Sequence, residues 1–153
     1  MHDMEKELIH LCIELGEQAA SAGDVPIGAL VCDADGQVIA EGFNVRERWK
    51  DPSGHAEIVA LRKAAQAIGR WNLSGCTLAV NLEPCTMCAG AIVNAHVSRV
   101  VFGAWDPKAG AAGSVRDVLR DQRLPHRVEV MGGVLEAECA RRLSEWFAQL
   151  RTQ

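Results

Sequence analysis

The sequence predicts an α/β fold built on a mixed five-stranded sheet. Three observations predict it. Two apolar runs, residues 27–32 and 38–43, flank Asp33-Ala34-Asp35-Gly36, a turn signal, and so read as an antiparallel hairpin. From residue 76 onward, apolar strands alternate with helical stretches, which implies parallel β-α-β pairing. The chain has 153 residues, enough for one core and hardly for two, so residues 1–153 are expected to be a single domain.

The elements follow in order. Met4, Leu8, Leu11, Cys12, Leu15, Ala19 and Ala22 recur at spacings of three and four, so residues 4–22 read as an amphipathic helix with Gly23 as its C-terminal cap. The hairpin comes next, as Ile27–Cys32 and Val38–Phe43. Residues 44–51 are polar without a period and read as a loop. A second helix spans about 54–69, opened by Asp51 or Ser53 as cap and closed by Gly69. Cys76–Leu82 is an apolar strand expected at the sheet centre, broken by Glu83-Pro84. A third helix runs from about Cys85 to His96, then a strand over Arg99–Gly103. Residues 104–113 form a loop of small residues, Ser114–Gln122 a short helix, Arg127–Met131 a fifth strand, and 136–150 a last helix.

Composition narrows the class. Apolar residues make up 48% of the chain, and no uninterrupted apolar run is long enough to span a bilayer. The acidic opening Met1-His2-Asp3-Met4-Glu5-Lys6-Glu7 lacks the basic-then-apolar form of a signal peptide, so a cytoplasmic location is expected and membrane attachment is not. Cys12, Cys32, Cys76 and Cys139 stand singly among apolar neighbours and read as small buried hydrophobes. The net charge of −4 is uneven. Residues 1–60 hold twelve acidic and four basic side chains, whereas residues 98–127 hold six basic and three acidic ones. That stretch permits a local phosphate footprint or an ordinary solvated face.

His55-Ala56-Glu57 and Pro84-Cys85-Thr86-Met87-Cys88 carry the chemistry. Cys85 and Cys88, three apart at a helix start, share one face. The partial positive charge of a helix N-terminus favours thiolate, the form that binds zinc. His55 adds a neutral imidazole from the first turn of another helix. Three protein ligands leave a fourth tetrahedral position open, the mark of a catalytic zinc. Water there has its pKa lowered to about 7. Glu57, not a ligand, is placed to take a proton from that water, pass it to a ring nitrogen and help protonate departing ammonia, a role that typically contributes ~10²–10⁴-fold. A redox Cys-x-x-Cys leaves His55 and Glu57 unexplained, and a structural zinc needs a fourth ligand such as His96 or Cys76.

The pattern His-x-Glu followed by Pro-Cys-x-x-Cys is the signature of zinc-dependent nucleobase deaminases. With Val25-Pro26-Ile27-Gly28-Ala29, Glu41-Gly42-Phe43-Asn44, Arg99–Ala104 and Lys108–Ser114, nearly the whole chain resembles the bacterial tRNA-specific adenosine deaminases of the cytidine deaminase-like superfamily. The resemblance implies a three-layer α/β/α cytidine deaminase-like fold and a homodimer with one Zn²⁺ per subunit. It also implies hydrolysis of adenosine to inosine at the wobble position of a tRNA anticodon loop, with no DNA partner. It places His55, Cys85 and Cys88 on the metal and Glu57 at catalysis. Asn44 falls in the base pocket, Pro26, Gly28, Leu82 and Pro84 on its walls, and Asp106 at its mouth near the RNA backbone. The superfamily signature is shared with guanine and cytosine deaminases, so a free purine such as guanine is the alternative substrate. The chain departs from the family pattern at Val45, at Gly54 and at Trp105, which reads either as a base-stacking residue or as a packed rim residue.

Overall fold

The computed structural model describes residues 2–152; Met1 and Gln153 lie outside the described residues. Five strands form one sheet in the order β2-β1-β3-β4-β5. They are β1 (Gly28–Cys32), β2 (Val38–Phe43), β3 (Thr77–Leu82), β4 (Arg99–Ala104) and β5 (Glu129–Met131). β1 pairs antiparallel with both β2 and β3, while β3–β4 and β4–β5 are parallel. The sheet is therefore mixed, with β3 at its centre, as the hairpin and the later alternation imply.

Alternation along the strands builds the layers. Ala29, Val31, Leu78, Val80, Val100 and Phe102 face one way. They meet α2 (Ala56–Ile68) and α3 (Thr86–Asn94). Leu30, Cys32, Ala79 and Val101 face the other way, against α1 (Asp3–Ala20) and α4 (Glu136–Arg151). This is the three-layer α/β/α arrangement. Cys12, Cys32, Cys76 and Cys139 are buried and unbridged within it.

Helix α1 buries Leu8, Ile9, Cys12, Leu15 and Ala19. Ile9 takes the place expected for Leu11, which is exposed. The C-cap is Ser21, two residues before the left-handed Gly23. Gly69 caps α2 as expected, in the left-handed conformation at φ 77°.

Two further expectations fail here. Neither Asp51 nor Ser53 caps α2, because Asp51 Oδ1 accepts from the Ser53 N–H and hydroxyl inside the preceding loop, and His55 holds the cap position. Residues 114–122 do not form a helix. The Ser114 N–H goes to the Glu83 carboxylate, the Gly113 N–H goes to Arg116 O, and Ala112 bridges Asp117 antiparallel. The Val118 N–H, which a helix would send to Ser114 O, goes to Ala111 O, and Arg116 O, which a helix would offer to Arg120, accepts from Gly113, so turn bonds replace the helical ones.

Candidate active site

Two helix N-termini meet at the site. His55 is the N-cap of α2 and Cys85 the N-cap of α3, both with extended backbone, one residue before the helices expected to contain them. Neither side chain caps its own helix. Both are thereby free to turn inward, while Glu57 and Cys88 lie in the first turns. Helix α2 is brought close by Gly42 on β2, where a Cβ would lie 2.8 Å from Ala56 O and 2.9 Å from Ala60 N. His55 Nδ1 lies 3.6 Å from Cys85 Sγ and 3.5 Å from Cys88 Sγ.

Among the described residues these three form the one group of His, Cys, Asp or Glu side chains arranged to hold a metal ion, with donor atoms all within 4.8 Å of one another. The geometry fits zinc. A tetrahedron with Zn–S of about 2.3 Å and Zn–N of about 2.0–2.1 Å has an N···S edge of roughly 3.5–3.6 Å, which both measured separations match. Neither Cys76 nor His96 joins the cluster. His96 instead packs edge-on to Trp71 and tilted against His126.

Electrostatics agrees with the geometry. Cys85 is pulled down to about 4 by the hydrogen bond from Cys88, against its burial and with help from His55. Cys88 is pushed up by that same bond and by burial. Metal binding to this pair would displace a thiol proton. The Cys85 sulfur raises His55. Glu57 is 4% exposed, and burial pushes it up to about 7, held back partly by its own backbone N–H.

A cavity of about 200 Å³ opens beside these groups. It is smaller than the roughly 300–1,000 Å³ of drug-sized ligand sites, room for a single ring system. Asn44, His55, Glu57, Leu82, Cys85 and Asp106 line it. Pro26, Gly28 and Pro84 do not. Alternation turns Val25 and Ile27 toward the cavity, while a Cβ at Gly28 would run into Cys12 O of α1. The Pro26 carbonyl and the Gly28 N–H are bound instead by the buried Asn81 side chain, each at 3.0 Å. Pro84 contributes its carbonyl to the Ala111 N–H. Asn44 is 7% exposed, and its Oδ1 accepts from the Arg46 N–H at 3.1 Å.

Residues 2–104 match the cytidine and deoxycytidylate deaminase zinc-binding region. The chain is 45% identical to the tRNA-specific adenosine deaminase of Bacillus subtilis, over 91% of this chain and 86% of that protein. It is 41% identical to the enzyme of the same name from Haemophilus influenzae, over 99% and 87%. It belongs to the tRNA-specific adenosine deaminase family. A solved structure from a study of A-to-I editing by tRNA:A34 deaminases superposes with a TM-score of 0.83 at 39% identity, covering 89% of this chain and 98% of that one.

Three buried polar residues were given no role of their own from the sequence. Glu83 is 2% exposed. Burial pushes its carboxyl up, but bonds from the Ser114 hydroxyl and from the N–H groups of Asp106, Ser114 and Ala112 outweigh it and hold the group below the ordinary glutamate value. Asp24, also 2% exposed, accepts from the Glu47 and Arg48 N–H groups at 2.8 and 3.2 Å and so fixes the loop that carries Asn44. Asn81 ties β3 to the entry of β1. Each is a polar side chain set beside an apolar run or a helix stop, and that is the signal that could have found them.

Proposed function

We propose that this chain is a hydrolytic deaminase that converts adenosine to inosine at the wobble position of tRNA, with zinc held by His55, Cys85 and Cys88. The observation that carries the reaction is Glu57, a buried carboxylate beside three metal donors that is not one of them. A structural metal site has no use for it. Zinc bound by these three donors would supply Lewis acidity that lowers the pKa of a water in its open fourth position to about 7.

Glu57 then moves the protons. Its carboxylate accepts one from the attacking water and delivers it to the ring nitrogen beside the carbon under attack. It helps protonate the amino group as the C–N bond breaks, and the products are the carbonyl base and ammonia. Asn44 Oδ1 is engaged by Arg46, which leaves Nδ2 as a donor toward the base. Arg46 and Asp106 stand at the pocket rim, where the sugar-phosphate chain of a flipped nucleotide would pass.

The substrate rests on the likeness to tRNA-specific enzymes over most of their length. The same reading includes a single domain over residues 1–153, one zinc per subunit, action in the cytoplasm and a homodimer. The exposed Trp71 beside an apolar groove between α2 and α3 supports the dimer. Among the described residues, no helix is long and apolar enough to cross a membrane.

The test offers zinc-loaded protein an anticodon stem-loop bearing a wobble adenosine, and separately guanine, adenine and cytidine. Inosine in the RNA, with no turnover of the free compounds, is the expected result. Ammonia from guanine alone would replace this reading with a free-purine deaminase.

A further inference from the structure

We propose that Glu83 is a positioning residue for the substrate side of the pocket, holding residues 106–114 so that Asp106 and Ala109 form its mouth. Glu83 Oε1 accepts from the Asp106 N–H at 2.9 Å and from the Ser114 hydroxyl. Oε2 accepts from the N–H groups of Ala112 and Ser114 at 2.9 and 3.0 Å. Among the described residues no Lys, Arg or His forms an ion pair with it. A buried carboxylate without a counter-ion is tolerated only when donors surround it, and here one loop provides them all.

The bonds reach both ends of that loop, at Asp106 and at Ala112 and Ser114. Asp106 and Ala109 line the cavity, and Asp106 Oδ1 in turn fixes the N–H groups of Lys108 and Ala109. Gly110 gives the carboxylate its room, since a Cβ there would run into Glu83 Oε1. The segment that carries Cys85 is joined to the loop separately, through the Ala111–Pro84 backbone bond and the Cys85–Gly110 bridge. Loss of the carboxylate therefore loosens the wall that meets the nucleotide and leaves the metal donors in place.

The proposal rests on the function proposed above for its substrate. Its test keeps the two apart. Glu83→Gln replaces one accepting oxygen with an amide NH2 group that donates and cannot accept, and Ser114→Ala removes the hydroxyl donor. Zinc-loaded Glu83→Gln is expected to keep the parent's zinc content. Its KM for the stem-loop should rise about tenfold while kcat falls much less, the sign of lost binding rather than lost chemistry. Trypsin should cleave after the exposed Lys108 about tenfold faster, because cleavage follows the population of the opened loop. Ser114→Ala should shift both readouts the same way by about two- to threefold, and it serves alone if Glu83→Gln does not fold. Unchanged KM and unchanged cleavage would overturn the proposal. So would loss of zinc, which would mean that Glu83 acts through Cys85. If the parent does not deaminate RNA, the functional reading fails, while cleavage at Lys108 still decides whether Glu83 holds the loop.

Discussion

Gly42→Ala tests whether the approach of α2 to β2 sets the position of His55 and Glu57. The added Cβ would lie 2.8 Å from Ala56 O, 2.9 Å from Ala60 N and 3.1 Å from Val59 Cβ. Two of those atoms are backbone and cannot rotate away, so the first turn of α2 must withdraw by about 0.5 Å to restore ordinary contact, which is the whole tolerance of a catalytic constellation. Overpacking of this kind costs about 1–3 kcal/mol, or roughly 2–12 °C in Tm for a domain of this size. The larger effect falls on rate, because a misplacement approaching 1 Å costs about 100-fold. We expect kcat to drop by about 10- to 100-fold with zinc still bound, read by single-turnover deamination beside metal analysis and a thermal melt. A Tm loss in this range with kcat unchanged would refute the link between the β2–α2 contact and the site. No change in either would refute the close approach itself.

Glu57→Gln should lower kcat by ~10²–10⁴ with zinc at the parent level, and a loss under tenfold would remove Glu57 from proton transfer. Cys88→Ala should abolish stoichiometric zinc by metal analysis; a full complement would void the ligand assignment. Phe102→Ala opens a cavity at a fully buried ring edge-on to Trp105, and should cost about 3–5 kcal/mol, or roughly 6–20 °C in Tm. Glu5 bonds Arg99 at 2.8 Å, which lowers its pKa. Its contribution is therefore full above the ordinary value of 4.5 and is lost as pH falls through the lowered folded value. Denaturant melts should show parent and Glu5→Gln diverging above that window and converging below it.

The metal donors and β3 were legible in the sequence because their signals are local. Cys85 and Cys88 are one helical turn apart, and the run from Thr77 to Leu82 needs no distant partner to be recognised as a strand. The loop over 106–114 was not legible, for a physical reason. Its conformation is set by a carboxylate lying 23, 29 and 31 residues away from the N–H groups it binds. Local pattern read a helix over Ser114–Gln122, and backbone bonds to the preceding loop, Val118 N–H to Ala111 O among them, replace it. The pocket walls failed by a single residue. Period 2 makes Ile27 face the cavity and sends Pro26 and Gly28 to Asn81, so a correct strand with an unanchored phase yields the wrong lining.

That division bears on how the reaction and the substrate can change separately. The metal donors come from the N-terminal ends of α2 and α3, whereas Asp106 and Ala109 come from a loop hung on Glu83. Trp105 shows the consequence. Its ring stands edge-on to Phe102 and close to Gly113 and Gly133, and it is 41% exposed. It does not line the catalytic cavity but borders the adjoining cleft with Phe147, which shares Leu82 and Asp106 with that cavity. A substitution there changes what lies beside the reacting base and leaves the base and the donors alone. The departure at Trp105 can therefore retune recognition of a neighbouring nucleotide while His55, Glu57, Cys85 and Cys88 keep the same chemistry.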